Sequence, residues 1–328
     1  MIRIGILGCG RIGQVHARSV DALPNAIVAA VSDGIDSMAT ELAKRHRTLA
    51  MGTDDIIASD DIDAIAICTP TDTHYDIIHA AAKAGKAIFC EKPVDLSADR
   101  IRDCIQVVGQ NDVPFMTAFN RRFDPNFANL HGRIRSGEIG DVELVTILSR
   151  DPAPPPLSYV KSSGGLFRDM MIHDLDMARF LLCEEPVSVS AMGSALVDPE
   201  IGAAGDVDTA AAILTTASGK ICQISNSRRA TYGYDQRIEV HGSKGLLRAE
   251  NIRENSVELA TENGFQSAPV KHFFLERYEA AYQREMAYFV EALQTDQSPS
   301  PDITDGLLAQ RLADAATQSQ EQGIIVRL

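Results

Sequence analysis

The first thirteen residues restrict the fold more than any other segment, because an apolar strand runs directly into a glycine-rich turn. Gly8, Gly10 and Gly13 follow the strand with the spacing G-x-G-x-x-G. The first glycine permits a tight turn, the second lets a pyrophosphate approach the backbone, and the third lets a helix pack against the strand. The N-terminus of that helix attracts phosphate groups. The segment therefore predicts a dinucleotide site, with a glycine turn of some other α/β protein as the alternative.

An acidic residue in the second strand region indicates which dinucleotide is bound. The apolar stretch 26–31 is followed by Asp33, about twenty residues after the last glycine, where the motif requires an acid. A carboxylate there accepts hydrogen bonds from the ribose hydroxyls and repels a 2′-phosphate. No arginine follows directly, since Asp36 comes after Gly34 and Ile35. The sequence favours NAD over NADP.

Composition excludes several classes of partner. The chain has 328 residues, 45% of them hydrophobic, and a formal net charge of −14. Binding to nucleic acid requires a basic face, so we expect no such partner. No apolar run approaches the roughly 20 residues that span a bilayer, and the N-terminus is already a core strand, so we expect neither a membrane segment nor a signal peptide. Six scattered cysteines without a C-x-x-C pair predict reduced thiols and a cytoplasmic protein.

The pattern of elements divides the chain near residue 120. Strands and helices alternate up to that point, which predicts a parallel, doubly wound Rossmann domain over residues 1–120. Beyond it, several strands follow one another, which predicts an α+β domain over 121–328 with a large, mostly antiparallel open sheet. We leave open that the C-terminal helix, 303–322, packs back on the first domain. The open face of the second sheet needs a cover, and self-association is the simplest one.

Residues just past the ends of the parallel strands are expected to meet in one crevice. One such segment is Glu91-Lys92-Pro93, where Pro93 restricts the backbone of Lys92 and so fixes the direction of its ammonium group. The alternative is a surface lysine in a turn.

A second segment with residues suited to catalysis lies in the C-terminal part. On a helix, Asp169, His173 and Asp176 are spaced i, i+4 and i+7, so one face carries all three. Histidine titrates near neutrality and is the usual general base. The alternatives are a structural acid with a core histidine, or a metal site. The metal site is disfavoured because no cysteine or further histidine lies at ligand spacing.

Taken together, these segments resemble the Gfo/Idh/MocA family of oxidoreductases over essentially the whole chain. The resemblance is carried by the Gly8–Gly13 turn, Thr69-Pro70-Thr71 with His74, Glu91-Lys92-Pro93, and Gly164-Gly165 followed by the Asp169, His173 and Asp176 helix. Segments 119–124, 149–155 and 232–237 make the chain most similar to the inositol-oxidising members. One departure is Asp72 in Thr-Pro-Thr-Asp, where T-P-N is commoner in the family.

The resemblance implies a role for each matching residue. It implies cofactor contacts for Gly8, Gly10, Arg11, Ile12, Gly13, Asp33, Thr69, Pro70, His74, Glu91 and Lys92. It implies catalytic roles for Lys92, Asp169 and His173, with His173 as general base, and polyol contacts for Arg122, Asp151, Asp169, His173 and Tyr232. No metal is implied. It also implies a homotetramer built through the second sheet.

The resemblance implies oxidation of a cyclic polyol by hydride transfer to NAD, with myo-inositol giving 2-keto-myo-inositol (scyllo-inosose). Oxidation of a secondary alcohol needs removal of the hydroxyl proton, which His173 performs, and stabilisation of negative charge, which Lys92 supplies. The alternatives are a dehydrogenase of the same family acting on glucose, another aldose or another inositol isomer, an NAD-dependent glycosidase, and a non-catalytic NAD-binding sensor.

Overall fold

The computed structural model describes residues 1–328. Its strands are β1 (Ile2–Leu7), β2 (Ala26–Ser32), β3 (Leu49–Ala50), β4 (Ala64–Ile67), β5 (Ala87–Glu91), β6 (Phe115–Ala118), β7 (Val142–Arg150), β8 (Pro186–Ser194), β9 (Thr209–Thr216), β10 (Ile221–Ser227), β11 (Asp235–Gly242), β12 (Gly245–Ala249), β13 (Glu258–Thr261), β14 (Gly264–Ser267) and β15 (Val326–Arg327). Its α-helices are α1 (Arg11–Asp21), α2 (Asp36–His46), α3 (Thr53–Ala58), α4 (His74–Lys83), α5 (Ala98–Gln110), α6 (Pro125–Arg135), α7 (Leu157–Val160), α8 (Ile172–Leu182), α9 (Pro199–Ala203), α10 (Phe274–Arg277), α11 (Glu279–Gln294) and α12 (Ile303–Gln322).

The chain forms two compact units. Unit 1 comprises Met1–Phe123 and Ala280–Gln310, and unit 2 comprises Asp124–Glu279 and Arg311–Leu328. This division differs from the expected 1–120 and 121–328, because nearly all of α11 and the first part of α12 belong to unit 1. The reason is burial: the apolar face of α11 packs into the same core cluster as β1, β4 and β5. Each unit is therefore built from two stretches of the chain that are separated in sequence.

Unit 1 contains a six-stranded sheet in the order β3-β2-β1-β4-β5-β6, and every neighbouring pair is parallel. Residues of β4 and β6 are buried without interruption, as expected for a sheet covered on both faces. The sheet confirms the predicted Rossmann architecture. Because β1 and β4 are adjacent, the turn after β1 lies beside the loop after β4.

Helix boundaries in unit 1 follow local capping chemistry. Ser97 caps α5, and its hydroxyl accepts a hydrogen bond from the Arg100 amide at 3.5 Å, as its sequence position predicts. Helix α1 begins at Arg11, and Gly10 serves as its N-cap in an extended conformation. The α1 cap forms no side-chain hydrogen bond, which leaves the first backbone N–H groups available to a ligand.

Unit 2 contains a seven-stranded sheet in the order β12-β11-β7-β10-β9-β8-β15. The predicted mostly antiparallel sheet is confirmed, and β7 and β10 form its one parallel pair. Burial alternates along the strands, so one face is packed and the other is open. The parallel pair places the carboxyl ends of β7 and β10 side by side, at Arg150 and Ser227. None of the twelve helices is both long and apolar enough to cross a membrane.

Candidate active site

The glycine turn after β1 has the shape that a pyrophosphate requires. Gly8 has φ +94°, and a Cβ there would lie 2.5 Å from the Cys68 carbonyl oxygen. A Cβ on Gly13 would lie 1.9 Å from the Gly8 carbonyl oxygen, so only glycine fits against the turn. A Cβ on Gly10 would meet nothing within 4 Å, and the backbone there borders open space. The turn and the uncapped N-terminus of α1 therefore fit a dinucleotide phosphate group.

Asp33 is held rigidly beside this turn. Its Oδ2 accepts a hydrogen bond from the Cys9 amide at 2.7 Å, and its Oδ1 accepts one from the Ile35 amide at 2.8 Å. Each carboxylate oxygen keeps acceptor capacity for a ribose hydroxyl. Two of the other residues expected at the cofactor follow the turn: Arg11 is exposed at the first turn of α1, and Ile12 packs against the core.

The loop after β4 is stabilised by a buried histidine, His74. Thr69 and Pro70 lead into a 3₁₀ turn over Thr71–Thr73. The His74 ring lies between two backbone carbonyls, with Nε2 3.0 Å from the Thr69 oxygen and Nδ1 3.0 Å from the Pro93 oxygen. It is 1% exposed, and burial lowers its pKa. The ring thus joins the loops after β4 and β5.

Lys92 follows β5, and the Glu91 beside it is tied to helix α1. The His16 Nε2 lies 2.6 Å from Glu91 Oε1, and the Lys92 amide donates to Glu91 Oε2 at 3.3 Å. The Lys92–Pro93 peptide bond is cis. His16 is fully buried. The Glu91 side chain is therefore held by His16 on one side and by the Lys92 amide on the other. Through the second bond, Glu91 helps to fix the backbone at Lys92.

A second acid lies close to Glu91 in the core. Glu285, on the buried face of α11, has no exposed surface, and neither of its carboxyl oxygens has a hydrogen-bond partner. Burial and the charge of Glu91 raise the pKa of Glu285 well above its usual value. An ionised carboxylate without a partner is costly in the interior, so this environment favours the protonated form of Glu285. Nothing in the sequence distinguished this residue from an ordinary surface glutamate.

In unit 2, Asp169 and His173 lie on one irregular helix. A π-helical turn, Phe167–Met171, contains Asp169 and runs into the first turn of α8, where His173 lies. Both side chains are partly exposed. Asp176, which the regular period placed on the same face, is buried, and its carboxylate lies 3.4 Å from an Arg179 guanidinium nitrogen. Wider turns of this kind are frequent at functional sites. The extra residue in the turn rotates the directions of the side chains that follow it.

Two residues that the sequence analysis missed position Asp169. The Tyr159 hydroxyl donates to Oδ1 at 2.9 Å, and both terminal nitrogens of Arg228 lie 3.3–3.4 Å from Oδ2. Arg228 is 1% exposed and is the first residue after β10. The rule that functional residues follow parallel strands would have indicated Arg228, had the parallel pairing of β7 and β10 been known.

The other expected polyol-binding residues occupy different places. Asp151 is the first residue after β7, and its amide donates to the Ser227 carbonyl at 3.0 Å, next to Arg228. Tyr232 is half-exposed, and its hydroxyl donates to Asp235 at 2.5 Å. Arg122 lies in unit 1, where its guanidinium donates to Asp305 at 2.9 Å. The strand ends thus bring Asp151 close to the Asp169 partner Arg228.

No cluster of three or more His, Cys, Asp or Glu side chains has the arrangement of a metal site. All six cysteines are unpaired, and all except Cys183 are buried. A cavity of about 210 Å³ borders the start of the π-helical turn, and its polar walls include Arg168 and Asp206. Neither Asp169 nor His173 lines that cavity.

Comparison with known proteins identifies the relatives of both parts of the chain. Residues 2–119 match the oxidoreductase family with an NAD-binding Rossmann fold, and residues 127–248 match the GFO/IDH/MocA C-terminal domain. An inositol 2-dehydrogenase of Rhizobium meliloti (strain 1021) is 54% identical over 318 residues, which cover 97% of this chain and 96% of that protein.

Solved structures agree over the full length. A myo-inositol dehydrogenase from Corynebacterium glutamicum ATCC 13032 matches with a TM-score of 0.96 and 42% identity, covering 100% of this chain and 99% of that one. A scyllo-inositol dehydrogenase from Lactobacillus casei, solved with bound NAD(H) and scyllo-inositol, matches with a TM-score of 0.93 and 32% identity over 100% and 99% of the two chains.

Proposed function

This chain belongs to the GFO/IDH/MocA family of NAD-binding oxidoreductases, and from that premise we propose that it oxidises one secondary alcohol of a cyclic polyol. The proposed reaction converts myo-inositol to 2-keto-myo-inositol (scyllo-inosose). The observation that carries the proposal is the pair Asp169 and His173 on one helix, with Asp169 fixed by Tyr159 and Arg228. An NAD-binding protein without chemistry would not need this arrangement.

NAD, when bound, supplies the hydride acceptor. The glycine turn and the N-terminus of α1 bind its phosphates, and Asp33 accepts hydrogen bonds from a ribose. In the proposed reaction, a ring nitrogen of His173 removes the hydroxyl proton. Asp169 orients the same part of the substrate, and the Lys92 ammonium stabilises the negative charge that develops on the oxygen.

The character of the polar residues supports a neutral polyol over a hydroxy acid. Asp151 and Asp169 are acids, and two carboxylates repel a carboxylate substrate. The Tyr232 hydroxyl and the His173 ring are suited to hydroxyl groups. Among polyols, myo-inositol is supported by the 54% identical inositol 2-dehydrogenase. Another inositol isomer is a second candidate, because the 32% identical L. casei protein was solved with scyllo-inositol.

A substrate panel tests the proposal. Purified protein is mixed with NAD and, in turn, myo-inositol, scyllo-inositol, chiro-inositol, glucose and a 2-hydroxy acid, and NADH formation is followed at 340 nm. We expect the highest kcat/KM with myo-inositol. A higher value with glucose or another aldose makes the protein a sugar dehydrogenase of the same family. NAD binding without NADH formation on any substrate supports a sensor and overturns the proposal.

We also propose that the open sheet face of unit 2 forms a homotetramer. Four exposed apolar side chains, Leu144, Met192, Ile213 and Ile221, lie on neighbouring strands of that face, and Met192 is 76% exposed. Exposed apolar surface of this kind marks an interaction site. Light scattering at micromolar concentration should give a tetramer, and Ile213→Lys should dissociate it. A monomeric wild-type chain contradicts this assembly.

Unpaired cysteines and an NAD-linked reaction are consistent with a cytoplasmic location.

A further inference from the structure

The carboxylate of Asp235 is the centre of a polar cluster behind Tyr232. Asp235 has no exposed surface, and three side chains donate hydrogen bonds to its carboxylate. The Arg237 guanidinium donates to both oxygens at 2.7 and 2.9 Å, and the Asn251 side chain donates to Oδ1 at 2.7 Å. The Tyr232 hydroxyl donates to Oδ2 at 2.5 Å. An ionised carboxylate has no proton to give, so the Tyr232 proton is committed to this bond.

The Tyr232 oxygen receives a second contact from the neighbouring strand. Arg150 pairs with Asp235 across β7 and β11, and its guanidinium donates to the Tyr232 oxygen at 3.3 Å. An arginine also has no acceptor. With its proton held by Asp235 and one donor contributed by Arg150, the phenolic oxygen offers only acceptor capacity to any further group.

The backbone that carries Tyr232 is fixed as well. Gly233 has φ +122°, and a Cβ there would lie 2.5 Å from the Val270 side chain. The Tyr234 amide donates to the Lys271 carbonyl at 3.1 Å. The half-exposed Tyr232 ring is thus held at both its hydroxyl and its backbone.

Tyr232 belongs to the rim of unit 2 that carries Asp169. Its partner Arg150 directly precedes Asp151, whose amide bonds to the Ser227 carbonyl, and Ser227 precedes Arg228, the partner of Asp169. Tyr232 and Asp169 are therefore connected through the adjacent ends of the parallel strands β7 and β10.

We propose that Asp235 is a positioning residue that fixes the Tyr232 proton, so that Tyr232 binds the substrate as a hydrogen-bond acceptor and selects a ring hydroxyl that donates. This inference rests on the proposed function, because it assigns Tyr232 to the polyol. It adds a chemical requirement: the substrate group opposite Tyr232 must carry a proton. A fluorine, a ketone or a methyl ether at that ring position is rejected.

A double-mutant cycle tests whether Asp235 acts through Tyr232. Tyr232→Phe and Asp235→Asn should each raise KM for myo-inositol roughly 2- to 10-fold, the range of one hydrogen bond at a partly exposed site. The Kd for NAD of Tyr232→Phe should match wild type. In the Tyr232→Phe background, Asp235→Asn should raise KM no further. Equal effects of Asp235→Asn in both backgrounds overturn the proposal. Glu250→Gln, an exposed acid next to Asn251, is the matched control and should leave KM unchanged.

Two further measurements keep the test decisive if Asp235→Asn folds poorly or if myo-inositol is not the substrate. Among the monodeoxy-monofluoro analogues of the substrate, wild type should discriminate against one ring position roughly 2- to 10-fold more than Tyr232→Phe does. Equal discrimination by the two proteins contradicts the acceptor role.

The phenol titration needs no activity. Absorbance at 295 nm, wild type minus Tyr232→Phe, isolates Tyr232 from the other tyrosines. Partial burial and the bond to Asp235 raise the pKa of Tyr232. The absorbance of Asp235→Asn minus that of the double variant isolates Tyr232 in the same way. In this pair, Tyr232 should titrate at lower pH than in wild type. An unchanged titration overturns the positioning role even where no polyol is oxidised, whereas absence of oxidation with the expected titration removes only the proposed function.

Discussion

Two fully buried acids, Glu285 in unit 1 and Asp235 in unit 2, lie next to residues of the candidate site and respond to burial in opposite ways. Glu285 has no hydrogen-bond partner for either oxygen, and burial together with the Glu91 charge raises its pKa. Burial also opposes ionisation of Asp235, but hydrogen bonds from Arg237, Tyr232 and Asn251 outweigh it and lower the pKa.

The difference shows that burial alone does not decide the charge of an acid. The number of donors aimed at the carboxylate decides it, because each donor stabilises the ionised form. In unit 1, burial and the charge of Glu91 both favour the protonated form of Glu285. At the rim of unit 2, charged acids are retained because arginines face them, as Arg228 faces Asp169 and Arg237 faces Asp235. Ionisation is thus disfavoured at Glu285 and favoured at Asp235.

The largest expected effect comes from removing the residues assigned to the chemistry, one from each unit. His173→Ala and Lys92→Ala should each lower kcat about 10²- to 10⁴-fold, the usual contribution of a positioned acid or base. The Kd for NAD, measured by calorimetry, should stay close to wild type because neither residue belongs to the glycine turn. His272→Ala, an exposed histidine of unit 2, is the control. Near-normal turnover in either variant removes that residue from the mechanism.

A smaller effect is expected for cofactor choice, which depends on Asp33 of unit 1. Wild type should prefer NAD, because the Asp33 carboxylate repels a 2′-phosphate. At about 4 Å this repulsion is roughly 1–4 kcal/mol, depending on the effective dielectric constant. Asp33→Ser should therefore reduce the ratio of kcat/KM for NAD to that for NADP roughly 5- to 10³-fold, as measured by steady-state kinetics. Equal use of both cofactors by wild type contradicts the assignment. Asp36→Ser, an exposed acid three residues on, is the matched control.

The smallest effect separates the two buried acids by the pH dependence of stability. The folded pKa of Glu285 is raised, so the stability it contributes is complete below its unfolded pKa of about 4.3 and is lost as pH rises towards the folded pKa. Glu285→Gln does not lose this stability, so the melting temperature of the variant should rise relative to that of wild type between pH 4 and pH 8. Each pKa unit corresponds to about 1.4 kcal/mol, roughly 3–6 °C for a domain of this size.

Asp235→Asn should show the opposite trend. The folded pKa of Asp235 is lowered, so its stability is present above the unfolded pKa of about 3.9 and is lost as pH falls through the folded pKa. The variant should melt below wild type at pH 7, and the gap should close in acid. Parallel pH profiles for the two variants would show that the donors around Asp235 do not outweigh its burial.

Several features of the fold followed from residues that are close together in the chain. The strand, turn and helix over residues 2–21, the Ser97 cap and the 303–322 helix were all predictable, because hydrogen bonding within a turn or helix depends on near neighbours. The position of Asp33 at the end of β2 also followed from the motif.

Other features required contacts between residues far apart in sequence. Tyr159 and Arg228 reach Asp169 from sequence separations of 10 and 59 residues, and the parallel pairing of β7 and β10 brings Arg228 there. The π-helical turn interrupts the regular period that placed Asp176 beside Asp169 and His173. The His74 ring lies between the carbonyls of Thr69 and Pro93, and Pro93 is 19 residues away in sequence.

The sequence by itself determined the dinucleotide turn, the alternation of elements in unit 1 and the residue types available for chemistry, since these depend on backbone sterics and local periodicity. Only the tertiary structure decided which of those residues share a partner. It placed α11 in the core of unit 1, left Glu285 without donors and surrounded Asp235 with them. The physical reason is that the charge state of a buried group depends on atoms brought near it by sheet order and packing, and no short segment of the chain encodes those atoms.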